Sequence, residues 1–237
     1  MAITVATQSG PVGRIERVWS SLCTGPTPFM SLAAVHVGVA FTRFEGETIV
    51  SFRGPETRAT AMEVPGEAEF FGVELRLGAF MRPFRPATLA NQQDVTLPVA
   101  RNGRFDLLGD SWELPTPENV DVFVSRLERA GLLAYDPVVE DLWHDPRGQL
   151  ARRTSQERFR NAVGIPRRTA LHIARARAAA VRLRAGASIA EVTHAEGYFD
   201  QAHLTRTMRQ LVGYTPAELI RTDRLLDLDV ILEAPAA

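Results

Sequence analysis

The chain contains no lysine; all 27 of its basic residues are arginine. A coding bias gives that composition, but arginine is also the better bidentate partner for phosphates and for guanine. There is one cysteine, Cys23, so an intramolecular disulfide and a thiolate cage around a metal are excluded, and the thiol reads as inert. No run of 18 or more apolar residues occurs, which excludes a helical membrane span. The opening stretch, MAITVATQSGPVGRIERVW, lacks the basic, apolar, small-residue order of a secretory signal, so a cytoplasmic location without a membrane partner is expected. Missing too are a glycine-rich phosphate loop, a G-x-S-x-G elbow and paired carboxylates in a recognisable frame. His36, His144, His172, His194 and His203 are scattered without a pair at metal-ligand spacing. No catalytic residue, no metal and no cofactor is therefore expected, and an enzyme is not the first reading.

What is present is the make-up of a soluble globular chain, 45% hydrophobic and 23% charged over 237 residues, enough for one large core or two modest ones. The net charge of −1 hides an asymmetry. Residues 1–146 carry 12 arginines against 19 acidic residues, a balance of −7. Residues 147–224 carry 15 against 6, a balance of +9. A basic block is either a solvated surface or a footprint for nucleic acid.

The division by charge coincides with a division by pattern. Residues 31–77 read as strands, SLAAVHVGVAFTRF, ETIVSFR, TRATAMEV and AEFFGVELRL, separated by EGE, GPET and PGE. In the last, Phe71, Val73, Leu75 and Leu77 alternate with Gly72, Glu74 and Arg76, the period of a strand with one buried face. Residues 78–112 carry no clear pattern, and Trp19, Trp112 and Trp143 are expected to fill cores. LPTPENV then supplies a linker and a helix start, with Asn119 or Thr116 as cap. Val120, Phe123, Val124 and Leu127 follow at helical spacing, Gly131 stops the run, and everything beyond reads as helix.

Within that helical half one unit occurs twice. FRNAVGIP at Phe159–Pro166 and MRQLVGYTP at Met208–Pro216 share apolar, Arg, amide, apolar, Val, Gly, apolar and Pro at an offset of 49 residues. Each copy ends a helix at a Val-Gly stop and begins another at Pro. Ahead of the second copy, Ile189, Val192 and Ala195 mark a short amphipathic helix stopped by Gly197, and Asp200 caps the next, so the two make a helix-turn-helix. At about 100° per residue, Leu204, Met208 and Leu211 face a core while Ala202, Arg206 and Arg209 face out, flanked by Gln201 and His203. The same wheel on the first copy buries Phe159, Ala162 and Val163 and exposes Arg153, Glu157 and Arg160, with Thr154, Gln156 and Asn161 beside them. Each helix offers either a reading face for base edges or a merely solvated one.

From about Arg152 to Leu219 these motifs, RFRNAVGIP, RRTALHIARARAAAVRLRAG, SIAEVTHAEGYFDQAHLTR and VGYTP, resemble the DNA-binding domain of the AraC family of bacterial transcription regulators. The resemblance implies seven helices holding two helix-turn-helix units, joined by a long helix near Arg168 to Arg184 that sets both recognition helices into successive major grooves. Base-reading positions carried over fall on Arg153, Gln156 and Glu157 in the first unit and on Gln201, Ala202 and Arg206 in the second. Arg152, Thr154, Arg160, His203, Thr205 and Arg209 fall to phosphates. The chain departs from the family at Ser155, where an aliphatic residue is usual, at Glu157, where a basic one is common, and at Arg182, where many members have Leu. FRGPETRATAMEVPGEAEFFGVELRLGAF resembles the reduced β-domain that takes the sensor position in a subgroup of these regulators.

The expected fold class is α+β: a small antiparallel β-rich N-terminal domain, 1–112, that senses a small molecule or mediates dimerisation; a linker, 113–119; an all-α domain with two helix-turn-helix units, 120–224; and a tail, 225–237. The partners this implies are double-stranded DNA, a small-molecule effector, RNA polymerase and a second copy of the chain. The other class of reading is an enzyme or ligand-binding protein on the β-domain, with the helical half a protein-contact module.

Overall fold

The computed structural model describes residues 3–9, 13–91, 95–99, 101–144 and 152–222. The side chain of Arg152 and the expected tail, 225–237, lie outside the described residues.

An antiparallel sheet organises the N-terminal half. Its strands are β1 (Ile3–Ser9), β2 (Ile15–Cys23), β4 (Gly38–Phe44), β5 (Glu47–Arg53), β7 (Ala68–Leu75) and β9 (Val95–Thr96), in the order β1-β2-β7-β4-β5-β9. The EGE punctuation between β4 and β5 is a two-residue turn in which Glu45 and Gly46 both take positive φ, 52° and 80°, the twist that suits a right-handed hairpin. Two further strands, β3 (Thr27–Ser31) and β6 (Thr60–Val64), pair only with each other as a ribbon. The sheet starts well ahead of residue 31, where the sequence pattern begins to read as strand. Much of SLAAVHV is not strand; Ala34 makes only an isolated bridge to Glu56.

Period-two alternation gives the sheet two unlike faces. Val18, Val39, Phe41, Val50, Phe52, Val73 and Leu75 lie on one, within a single apolar core. That core is closed by the hairpin of β10 (Arg104–Leu107) and β11 (Asp110–Glu113), and by α2 (Val120–Arg129). Phe41 stacks on Phe71 at 5.3 Å and meets Phe123 edge-on at 6.0 Å, while Trp112 meets Phe123 at 6.2 Å. So α2, expected with the helical half, puts its apolar stripe into the sheet. At its start Asn119 turns back: its side-chain oxygen accepts from the Thr116 amide at 2.8 Å and makes no bond into the helix. Trp112 fills core as expected, but Trp19 lies on the opposite face of the sheet, laid flat over Gly72, where any Cβ would stand 2.3 Å from the indole.

The unpatterned residues 78–112 supply β8 (Ala79–Met81) and a one-turn helix, α1 (Pro86–Leu89), besides β9, β10 and β11. The stretch beyond Val120 is not all helix, because β12 (Leu133–Tyr135) pairs antiparallel with β8.

The remaining helices are α3 (Val138–His144), α4 (Arg152–Val163), α5 (Arg167–Arg184), α6 (Ile189–Ala195), α7 (Gln201–Leu211) and α8 (Pro216–Arg221). They share a second core with Leu32, Ala33 and Val35 from the chain that follows β3. At the centre α5 buries Ala170, Ile173, Ala176, Ala179, Ala180 and Leu183, and four alanines among six let neighbouring helices approach closely. Both copies of the repeated Val-Gly stop use a left-handed glycine, Gly164 at φ +85° and Gly213 at φ +84°.

Candidate nucleic-acid interface

Two helices, α6 and α7, and the five residues between them build the second unit. Ser188 and Glu191 form a reciprocal capping box at the start of α6, and the bond from the Ser188 hydroxyl holds the Glu191 carboxyl below its usual range. Val192 is buried, Ile189 packs at the edge of the core, and Ala195, expected on the same stripe, is exposed. In the turn Tyr198 goes in and Phe199 goes out, and Asp200 caps α7 by accepting from the His203 amide at 2.6 Å. The Arg175 guanidinium of α5 lies over the Tyr198 ring at 4.5 Å, and His203 meets that ring edge-on at 5.3 Å. The turn is thereby held between α5 and the first turn of α7.

With Leu204, Met208 and Leu211 buried, the opposite side of α7 presents Gln201, Ala202 and Arg206, all exposed. The phosphate candidates here are more committed. The Thr205 hydroxyl donates to the Gln201 carbonyl at 2.7 Å, Arg209 pairs with Glu218 at 2.7 Å, and half-buried His203 accepts from the Phe199 amide at 3.4 Å. Glu218 also closes the capping box of α8 with Thr215, so Arg209 fixes α8 to the end of α7.

In the first unit α4 buries Phe159, Ala162 and Val163, and exposes Arg153, Thr154, Gln156, Glu157 and Arg160. Ser155 occupies an inward position, 9% exposed. Arg158 grips Asp136 with two nitrogens at 2.6 and 2.9 Å and fixes α4 to the chain entering α3. Trp143 stacks parallel to Phe159 at 6.3 Å, and Arg167 donates to the Leu142 and Trp143 carbonyls at the end of α3.

Arg182, which departs from the family pattern, donates to Glu196 at 2.7 Å and ties α5 to the chain after α6. Arg153, Arg160 and Arg206 have no ion pair among the described residues and are exposed. Partial burial, then Arg175, Arg168 and His203, hold the His172 imidazole below its ordinary value.

One residue escaped the reading of the sequence. Phe199 is 91% exposed, immediately ahead of the α7 cap. Its signal was legible: an aromatic beside the tyrosine that the core already uses, with no position left for it on the buried stripe.

A model of a helix-turn-helix domain matches residues 148–222. Comparison with curated proteins and with solved structures found no match. The match covers α4 to α8, the segment in which the exposed arginines of both polar helix faces lie, and a helix-turn-helix domain there supports a DNA-binding regulatory role. Among the described residues, no group of His, Cys, Asp and Glu could hold a metal, and no helix is long and apolar enough to cross a membrane.

Proposed function

We propose that the chain is a sequence-specific, DNA-binding transcription regulator of the AraC type, with α4 and α7 as recognition helices in successive major grooves. The observation that carries this is the repetition of one arrangement. Each helix is anchored by three apolar residues and turns outward a polar face with arginine that has no ion pair among the described residues, Arg153 and Arg160 on α4 and Arg206 on α7. Gln201 suits the N6 and N7 of adenine, Arg153 and Arg206 suit the O6 and N7 of guanine, and Gln156 and Glu157 complete the reading set. Ala202 and Phe199 offer apolar contact to thymine methyl groups. Arg152, Thr154, Arg160, His203, Thr205 and Arg209 belong to the backbone, Arg209 at the cost of its pair with Glu218.

The division into a β-rich unit, 1–112, a linker, 113–119, and a DNA-binding unit, 120–224, belongs to the same reading, with α2 lending its apolar face to the sheet. So do RNA polymerase and a second copy of the chain as partners. Selection of bound duplexes from a random pool at two salt concentrations tests the proposal. Two short enriched motifs about one helical turn apart are expected. Enrichment of none, with binding that disappears steeply as salt rises, overturns it, because only backbone electrostatics would remain.

A further inference from the structure

The face of the sheet turned away from the α2 core is built for a cavity. Where that core face carries Val39, Phe41, Val73 and Leu75, this one carries Ser21, Gly38, Ala40, Thr42 and Gly72, side chains too small to meet the ribbon that covers them. The β3–β6 ribbon stands over this floor, and Phe29, Leu32, Met62 and Val64 form its roof. Trp19 and Phe70 also line it. The space is about 260 Å³ and partly open to solvent, more than the roughly 150 Å³ that holds one benzene ring and less than the 300 to 1,000 Å³ of sites for drug-sized ligands.

The polar groups of the wall set the charge of what fits. Arg53 pairs with Glu56 at 3.3 Å, and Glu74 pairs with Arg17. Each charge is thus answered within the protein, leaving no net charge to recruit an ion. The His36 Nδ1 lies 3.2 Å from the Leu75 carbonyl, which can only accept, so Nδ1 is the donor there. Burial pushes the Cys23 thiol up, away from nucleophilic chemistry.

The roof is also what holds the end of α7. Phe29 and Ser31 line the cavity while Met30, between them, covers Gly213 just beyond α7. Leu32 and Ala34 line the cavity while Ala33 donates its amide to the Leu211 carbonyl at 2.9 Å and accepts from Arg177 of α5 at 3.1 Å. Just before β6, the Ala59 amide donates to the Gln210 carbonyl at 2.9 Å. Neighbouring residues of one segment touch the cavity and the end of α7, so a ligand that shifts the ribbon shifts what holds α7.

We infer that this cavity binds a compact, uncharged aromatic molecule of one or two rings carrying a hydroxyl or amide group, and that its occupancy changes the DNA affinity of α7 through the β3–β6 ribbon. The coupling half rests on the DNA-binding reading above; the binding half does not.

The test titrates the full chain with neutral one- and two-ring phenols and amides, beginning with 2-naphthol, and with the anion 2-naphthoate. Affinity for a duplex from the selection is measured with and without the tightest probe. Saturable binding of a neutral probe is expected, at least tenfold tighter than 2-naphthoate. Ala40→Leu, which fills the floor, is expected to weaken it at least tenfold; Ser21→Leu is the second filling variant should the first not fold, folding being judged by circular dichroism. The occupied chain is expected to change its DNA affinity at least threefold. No saturable binding by any neutral probe, binding indifferent to both filling variants, or tighter binding of 2-naphthoate overturns the site. Binding at the site without a change in DNA affinity overturns the coupling. Failure of the selection to yield a duplex counts against the DNA-binding reading and is seen separately from the titration.

Discussion

The Ala33 amide donates to the Leu211 carbonyl at 2.9 Å, so the chain that leaves β3 supplies a donor to one of the last carbonyls of α7. A helix leaves its final carbonyls without partners inside the helix, and here Ala33 and Ala59 satisfy Leu211 and Gln210. Ala33 is fully buried, so water cannot replace it. Proline at that position lacks the donor. Ala33→Pro is therefore expected to cost about 1 to 3 kcal/mol in urea unfolding, and amide exchange should show protection falling more in the last turn of α7 than in the middle of α5. Equal loss in both would deny this contact its local role.

Gly213 and Met30 meet at the same junction. A Cβ on Gly213 would stand 2.5 Å from the Met30 sulfur, and the φ of +84° disfavours any side chain there. Two separable penalties follow, one steric and one conformational. Gly213→Ala is expected to cost about 2 to 3 kcal/mol in the native background and about 1 to 2 kcal/mol in a Met30→Ala background, where the conformational penalty alone remains. A double-mutant cycle measures the difference; additive costs would mean that the thioether yields freely.

Tyr198 is 6% exposed, and its buried hydroxyl has no hydrogen bond of good geometry among the described residues, with the Arg175 guanidinium its nearest polar neighbour. Burial also holds the phenol above its ordinary range. A buried hydroxyl left unsatisfied loses its water and gains nothing in return, so removing it relieves a penalty. Tyr198→Phe keeps the ring under Arg175 and is expected to leave stability unchanged or raise it by up to about 1 kcal/mol. A loss of more than that in thermal unfolding would show that the hydroxyl has found a partner in solution.

His172 is expected to make the fold modestly less stable in mild acid. Its folded pKa lies below its ordinary value, through partial burial and then Arg175, Arg168 and His203, whereas the unfolded ring titrates near about 6.5. Above that pH neither state is protonated and the full stability is present. As pH falls through it, the unfolded chain takes up a proton that the folded chain refuses, so stability declines until the folded ring is protonated too. The urea midpoint is expected to drop from pH 7.5 to 5.5 by more in the native chain than in His172→Gln. Parallel declines in the two proteins would remove His172 as the cause.

The legible parts of this molecule were those whose signal is local. The Val-Gly stops, the Asp200 cap and the inward trio Leu204, Met208 and Leu211 each lie within a few residues and are written in helical periodicity. What escaped depends on partners distant in the chain. The β2 strand was missed because Trp19, Ser21 and Cys23, on the cavity side, do not contrast in polarity with Val18, Ser20 and Leu22 on the other, so period two has nothing to show. Likewise the apolar stripe of α2 was visible, but not that Phe41, Phe105 and Trp112 would receive it. Arg182 read as a departure from a family pattern until the fold brought Glu196 beside it. At the interface, exposure was predictable from the wheel, yet nothing local announced that Arg209 would be tied to Glu218.

Glu157 supplies the sharpest division among the recognition residues, because its two roles differ in sign. It is exposed on α4 with no ion pair among the described residues. Facing a base, its carboxylate accepts from cytosine N4, and Glu157→Gln should relax the preference at one position by about 1 to 3 kcal/mol. Facing phosphates it repels, and the same change should tighten binding to every duplex alike. With α4 and α7 both in major grooves, Glu157 faces a base, as Gln201 and Arg206 do. Selection with the three variants, Glu157→Gln, Gln201→Ala and Arg206→Ala, should therefore relax three separate positions, the last two within one half of the site and the first in the other. Arg160→Ala, a backbone contact, should instead weaken all sequences together and lower the salt dependence by roughly one phosphate. Uniform tightening by Glu157→Gln would remove α4 from base reading at that position and leave sequence recognition to its other contacts and to α7.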